Sequence, residues 1–189
     1  MISTNDFYYF IRQLGDTALD DIEWAESRSL PASAVDFAEE VIFVICNSGM
    51  KHTVAVGIYQ RVIGQIRAGE PVSNVFRHAG KAAAIETIWA GRENLFAGYI
   101  AAEDKVSFAR SIPWIGSITA YHVVKNFGAQ VAKPDVHLQR LADREGCTAQ
   151  QLCERLSAET AYKVATVDTI LWRACATGWL NSKTGLIRL

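Results

Sequence analysis

One carboxylate, Asp135, follows a tight turn at a spacing that could support chemistry. The turn is the segment 113–116, Pro-Trp-Ile-Gly, and Asp135 lies 19 residues after Gly116. Gly116 or Ser117 can cap a helix, and the first N–H groups of a helix can hold a phosphate because they have no partner within it. Pro134 suits the first turn of the next helix, where the carboxylate meets the positive end of the helix dipole. The spacing therefore places a carboxylate within reach of any backbone that the turn binds.

The same stretch resembles the helix-hairpin-helix DNA glycosylases, the superfamily of endonuclease III and 8-oxoguanine DNA glycosylase. Its members carry a hairpin of the form hydrophobic-Pro-Gly-hydrophobic-Gly, then threonine or alanine, and an essential aspartate further along the chain. The matching residues here are Pro113, Ile115, Gly116, Thr119, Ala120 and Asp135. Two positions depart from the pattern. Trp114 replaces the first hairpin glycine, and Ile118 stands where members that also cleave the DNA strand have a lysine.

The resemblance implies a base-excision DNA glycosylase, which hydrolyses the N-glycosidic bond of a damaged or modified base flipped out of duplex DNA. This bond breaks through a transition state that resembles an oxocarbenium ion. A buried carboxylate can stabilise that positive charge and can orient or deprotonate the attacking water. Asp135 is the expected catalytic residue, and a plain helix N-cap is its alternative role. Because Ile118 cannot act as a nucleophile, we expect a monofunctional enzyme.

Two alternatives stay open. A bifunctional glycosylase/lyase would attack with a lysine amine and form a Schiff base, for which Lys133 or Lys125 would be the candidates. The chain could instead be a non-catalytic helix-hairpin-helix module that binds DNA. The net charge of −1 and the altered hairpin glycine at Trp114 give that second alternative some support.

The resemblance also implies which residues contact DNA. The N–H groups that open the hairpin helix would hold phosphate, and the loop after the first helix of the hairpin lobe would fill the gap left by the flipped base. The expected contacts are Trp114, Gly116, Ser117, Ile118, Thr119, Lys125, Lys133, Asn47, Ser48, Met50 and Lys51. Tyr121 and His122 are expected to line the base pocket. For Asn47 and Met50, a helix C-cap and a core residue are equally good interpretations.

No cofactor is expected to be required, although hairpin carbonyls in the family often hold a monovalent cation. The four cysteines, Cys46, Cys147, Cys153 and Cys175, form no CxxC motif. Their spacing differs from that of the four clustered cysteines that carry an iron–sulfur cluster in some members. The sequence therefore predicts reduced structural thiols, with no cluster and no other metal site.

Charge is distributed unevenly along the chain. Residues 1–50 hold nine acidic and two basic residues, for a net charge of −7, whereas residues 51–92 hold six basic and two acidic residues, for +4. Such asymmetry suits a surface that binds phosphate on one side, and ordinary scatter of charge on solvated helices explains it about as well. We expect double-stranded DNA as the partner of a monomer.

Composition and patterning predict a globular, all-α chain. Hydrophobic residues make up 50% and charged residues 21%, which is typical of a folded domain. No run approaches eighteen apolar residues, and the N-terminus lacks a signal-peptide pattern, so a cytoplasmic, DNA-associated location is expected. Helical periodicity predicts helices near 34–46, 51–67, 81–89, 92–101, 104–111, 117–127, 136–145, 149–157 and 159–179.

The resemblance implies a two-lobed helical fold with the active cleft between the lobes. We expect residues 30–135 to form the lobe that ends in the hairpin. Residues 1–29 and 136–189 are expected to form the second lobe.

Overall fold

The computed structural model describes residues 1–188, and these are almost entirely helical. The helices are α1 (Thr4–Leu14), α2 (Asp16–Ser27), α3 (Ala34–Asn47), α4 (His52–Arg67), α5 (Ala79–Ala90), α6 (Arg92–Ala101), α7 (Lys105–Ser111), α8 (Ser117–Asn126), α9 (Val136–Glu145), α10 (Ala149–Thr160) and α11 (Val164–Ala176), with a short 3-10 helix at Val72–Asn74. The described part of the chain contains no strand beyond a single antiparallel bridge between Leu180 and Ile187. The prediction of an all-α fold is confirmed.

The chain folds into two compact units, residues 30–124 and residues 1–29 with 125–188. The sequence placed the second boundary at Asp135. The connector between α8 and α9 belongs with the later helices because the backbone N–H groups of Ala132 and Lys133 donate to side chains of α10 and α11. The division between the units therefore falls inside α8.

The unit of residues 30–124 is built around α3. Ser33 caps this helix by accepting the N–H of Asp36, and the helix then becomes continuously apolar towards its end. Helices α4, α5 and α6 pack around it, with fully buried Phe37 and Ile42 in the core. The Phe37 and Tyr99 rings lie 5.5 Å apart. Because its later turns are surrounded by other helices, α3 can be apolar on every side.

The other unit is built around α11, which is buried from Val164 to Leu171 and packs against α1, α2, α9 and α10. The sequence predicted one helix over 159–179, but the structure ends α10 at Thr160 and begins α11 at Val164. The break occurs because Ala161 adopts a left-handed conformation with φ of 62°.

Helix α2 forms where the sequence pattern was weak. Its acidic residues turn out to bond α11: Asp21 makes two hydrogen bonds to Arg173, of 2.7 and 2.9 Å, and Glu26 accepts from Thr166 at 2.6 Å. No helix within residues 1–188 is long and apolar enough to cross a membrane.

Candidate active site

Asp135 caps the N-terminus of α9. Its Oδ1 atom accepts the N–H groups of His137 at 2.9 Å and Leu138 at 3.1 Å. The other oxygen, Oδ2, lies 3.6 Å from Nζ of Lys133, and the Asp135 side chain is 14% exposed. Capping therefore occupies one oxygen, and the second oxygen is available for chemistry beside a lysine. The N-cap role and the predicted catalytic role are compatible.

Lys133 lies between the carboxylate and an aromatic ring. Its ammonium is 3.6 Å from Asp135 Oδ2 and 5.9 Å from the centre of the Trp172 ring. The Arg173 guanidinium also lies over this ring, at 5.1 Å. Trp172 is half-buried, so it contributes an aromatic wall next to the Lys133–Asp135 pair rather than a fully buried core residue.

Two further groups surround Asp135. Burial and, to a smaller extent, the Asp135 carboxylate raise the pKa of Cys175 to about 12, so the thiol stays protonated at neutral pH. His137, the second residue of α9, shares a 2.9 Å hydrogen bond between its Nδ1 atom and the Ser182 hydroxyl. The histidine is thus held within its own unit.

Lys125 does not have the role that the sequence predicted. Its ammonium forms an ion pair with Asp168, and the two residues are only 6% and 1% exposed. The same ammonium lies 3.3 Å from the Thr169 hydroxyl. The prediction that Lys125 contacts DNA is wrong, because a phosphate cannot reach an amine that is buried in an ion pair.

The sequence analysis missed Asp168. Its carboxylate bonds two different segments. Oδ2 pairs with the Lys125 ammonium, and Oδ1 accepts the backbone N–H of Lys133 at 3.1 Å. A signal was present, since Asp168 is the one acidic residue in the otherwise apolar or neutral run Val164–Trp172. Only the fold shows which residues it bonds.

The hairpin accommodates Trp114 in a left-handed backbone conformation, with φ of 66°. A glycine adopts such a conformation without strain, whereas a bulky residue does not. Trp114 is 47% exposed, and its ring packs edge-on against His78, with the ring centres 5.0 Å apart. Its far edge covers Gly80, where an added Cβ would come within 2.5 Å of the ring. Trp114 is therefore neither a core residue nor a free side chain.

Thr119 shapes the turn at Gly116. Its hydroxyl accepts the Gly116 N–H at 2.7 Å and donates to the Gly116 carbonyl at 3.1 Å. The predicted phosphate contacts of the Gly116 N–H and the Thr119 hydroxyl would have to displace these bonds. Ser117 and Ile118, the first residues of α8, are both exposed. The hairpin's phosphate contact stays a prediction for these two residues.

The carbonyl groups of the hairpin are the expected ligands of a monovalent cation, and two of them already accept hydrogen bonds. The Gly116 carbonyl also accepts the Ala120 N–H at 2.9 Å, so both of its lone pairs are occupied. The Ile112 carbonyl accepts the Ile115 N–H at 3.1 Å. The Gly116 carbonyl is thus used by the turn itself, and the cation stays a prediction.

Lys81 holds the start of the loop 47–51, which is the predicted source of the side chain that fills the gap. The sequence analysis did not single out this lysine. Lys81 is buried, and its ammonium donates to the carbonyls of Ile45 at 2.9 Å and Ser48 at 2.7 Å, at the C-terminal end of α3. Burial lowers the pKa of Lys81. The lysine thus satisfies carbonyls that the helix itself cannot.

The predicted DNA-contacting residues of this loop differ in their surroundings. Asn47 is the last residue of α3, and within the described chain its buried Oδ1 atom accepts no hydrogen bond. Met50 is half-buried, whereas Lys51 is exposed. Ser48 ends α3 by donating its N–H to the Val44 carbonyl at 3.0 Å. Asn47 is therefore the loop residue whose side chain has an unmet hydrogen-bonding capacity.

Tyr121 and His122, the predicted base-pocket residues, are half-buried on α8. Nothing in the structure assigns either of them to a pocket, so that role stays a prediction. Among residues 1–188, no group of three or more histidine, cysteine or acidic side chains could hold a metal ion. All four cysteines are free thiols.

Comparison with known proteins supports the fold. No protein-family model and no curated protein sequence matches the chain. In structure it is similar to the 8-oxoguanine DNA glycosylase of Thermotoga maritima, with a TM-score of 0.62 and 13% sequence identity. The match covers 89% of this chain and 93% of that one. The chain therefore shares the helical fold of that glycosylase.

Proposed function

We propose that this protein is a DNA glycosylase that hydrolyses the bond between deoxyribose and a damaged or modified base. One observation carries the proposal. The Asp135 carboxylate is mostly buried, with one oxygen held by two backbone N–H groups and the other left beside Lys133. The similarity in fold to a DNA glycosylase supports the same assignment.

The proposed reaction uses the two carboxylate oxygens differently. The bonds from His137 and Leu138 to Oδ1 orient the group. In the proposed reaction, Oδ2 is the oxygen that faces the sugar. There the negative charge of the carboxylate stabilises the oxocarbenium-like transition state. The same oxygen accepts a proton from the attacking water. The partly buried location strengthens the electrostatic effect because less water screens it.

A second candidate activity is a combined glycosylase and lyase that uses Lys133. Its amine lies 3.6 Å from Asp135 Oδ2, close enough for the carboxylate to take part in removing the amine's proton. The neutral amine would then attack C1′ of the sugar while the bond to the base breaks and the base leaves, and opening of the C1′–O4′ bond would give the Schiff base. Lys125 is no longer a candidate nucleophile, because it is buried in its ion pair with Asp168.

The proposed partner is double-stranded DNA, bound by a monomer that requires no cofactor and acts in the cytoplasm. The exposed first turn of α8 and the loop 47–51 are the proposed contacts to the DNA backbone and to the gap left by the flipped base. The base itself stays open among oxidised purines, alkylated purines and mismatched pyrimidines. 8-Oxoguanine is the first to test, because the structural neighbour is named for it.

The deciding experiment is base release from duplexes that each carry one lesion: 8-oxoguanine, 3-methyladenine, or uracil or thymine opposite guanine. We expect strand breakage only after alkali, since hydrolysis leaves an intact abasic strand. Breakage without alkali, together with borohydride trapping that Lys133→Gln abolishes, would establish the lyase activity instead. Normal DNA binding without release of any base would contradict the enzymatic proposal and favour a binding module.

A further inference from the structure

The buried ion pair between Lys125 of α8 and Asp168 of α11 contacts the segment that connects α8 to α9. Residues 127–135 connect α8 to α9 and end at Asp135. Asp168 reaches this connector from α11, where its Oδ1 atom accepts the Lys133 N–H at 3.1 Å. This hydrogen bond holds the backbone of Lys133, which lies two residues before Asp135 and whose ammonium is next to the Asp135 carboxylate.

Other side chains hold the earlier part of the same connector. Gln150 accepts the Ala132 N–H at 2.7 Å and donates to the Gln130 carbonyl at 3.0 Å. The Gln130 side chain in turn accepts the Val164 N–H at 3.0 Å. Of these contacts, the bond from Asp168 lies nearest to Asp135 along the chain.

The ion pair explains how a carboxylate can be buried at this position. Burying a carboxylate that has no partner is costly, because the group loses its hydration and nothing replaces it. Lys125 supplies the compensating charge, and its own ammonium is oriented by the Thr169 hydroxyl at 3.3 Å. Apolar residues could fill the same space at similar stability. They could not bond the Lys133 N–H.

We infer that Asp168 is a positioning residue for Asp135 and Lys133, and that its ion pair with Lys125 holds the Asp168 carboxylate in place. This inference rests on the proposed function, in which the Asp135 carboxylate meets the sugar. Asp168 is only 1% exposed, so its proposed effect is exerted through the Lys133 backbone and not on the substrate directly. It fixes the backbone from which both Lys133 and Asp135 project.

Two double variants separate this role from a general contribution to stability. Lys125→Met with Asp168→Asn removes both charges and keeps an oxygen that can accept the Lys133 N–H. Lys125→Met with Asp168→Leu also removes both charges and leaves that N–H without an acceptor. Neither variant leaves an unpaired buried charge, which by itself would strongly destabilise the protein.

Three quantities are measured on the full chain: amide hydrogen exchange of residues 132–135, the melting temperature, and kcat and KM for the lesion that the wild type excises. We expect faster exchange of this segment in the leucine variant than in the asparagine variant. We also expect a kcat on the order of 100-fold lower in the leucine variant, with similar KM, because small displacements of a reacting group are costly.

Equal exchange in the two variants would overturn the inference, and so would faster exchange with equal kcat. A fall in kcat that follows the melting temperature in both variants would show a role in stability alone. If the wild type releases no base from any lesion, the proposed function fails. The exchange comparison then still decides whether Asp168 holds the segment.

Discussion

At the scale of single residues, Asp135 combines two roles that sequence reasoning treated as alternatives. An aspartate after a proline is an ordinary helix cap, and here one oxygen does accept two backbone N–H groups. The second oxygen is not used in capping. A cap holds a carboxylate at a defined angle to the helix, so capping prepares the group for the proposed chemistry.

Replacing Asp135 tests the residue directly. We expect Asp135→Asn to lower base release by about 10²- to 10⁴-fold, because the amide carries no charge and is a poor base. Asparagine caps helices about as well as aspartate, so the melting temperature should change little. The matched control is Asp143→Asn, an exposed residue on the same helix, which should leave kcat unchanged. Equal activity of the two variants would contradict a catalytic role for Asp135.

At the scale of elements, the two ends of α3 are satisfied in different ways. The N-terminus uses a local cap, in which Ser33 accepts the Asp36 N–H at 3.1 Å. The C-terminus uses Lys81 from α5, which donates to the Ile45 and Ser48 carbonyls. A local pattern can predict the first kind of cap, but the second depends on which helix lies alongside.

We expect Lys81→Met to destabilise the protein by about 2 kcal/mol, since two carbonyls at the end of α3 lose a charged donor. Hydrogen exchange should also become faster in the loop 47–51. Lys51→Met serves as the control, because Lys51 is exposed in the same loop. Chemical denaturation of the variants provides the measurement. A loss of stability equal to that of the control would mean that the ammonium contributes nothing at α3.

The hairpin and α5 are coupled through Trp114 and Gly80. We expect Gly80→Ala to destabilise the wild type by about 1–3 kcal/mol, because the added methyl group meets the ring. In a Trp114→Gly background the same change should stabilise by up to about 1 kcal/mol, since alanine favours a helix. A double-mutant cycle of unfolding free energies measures the difference. Additive effects would show that the ring does not rest on Gly80.

At the scale of the whole molecule, both units bury protonated thiols. Burial raises the pKa of Cys46 to about 11 and that of Cys175 to about 12, from an ordinary value of 9.0. The folded state therefore keeps these protons at a pH where the unfolded state has lost them. Stability from this source is complete below pH 9 and is lost as the pH rises towards 11–12.

We therefore expect the melting temperature to fall as the pH rises above 9.0, the ordinary pKa of a thiol. Replacing Cys46 and Cys175 by alanine should make this fall shallower while lowering the melting temperature at pH 7. Thermal unfolding at pH 7, 9 and 10 measures both effects. An unchanged slope in the alanine variants would show that other groups cause the alkaline loss of stability.

The amino-acid sequence by itself determined the all-α class, most helix bounds, the hairpin and the capping geometry at Asp135. These features depend on residues close together in the chain, such as Ser33 with Asp36 or Pro134 with Asp135, whose local preferences are strong. Only the tertiary structure decided which groups Lys125, Lys81 and Asp168 bond. Their partners lie 33 to 43 residues away in the sequence, and a lysine looks the same in a sequence whether it reaches solvent, a carbonyl or a buried carboxylate.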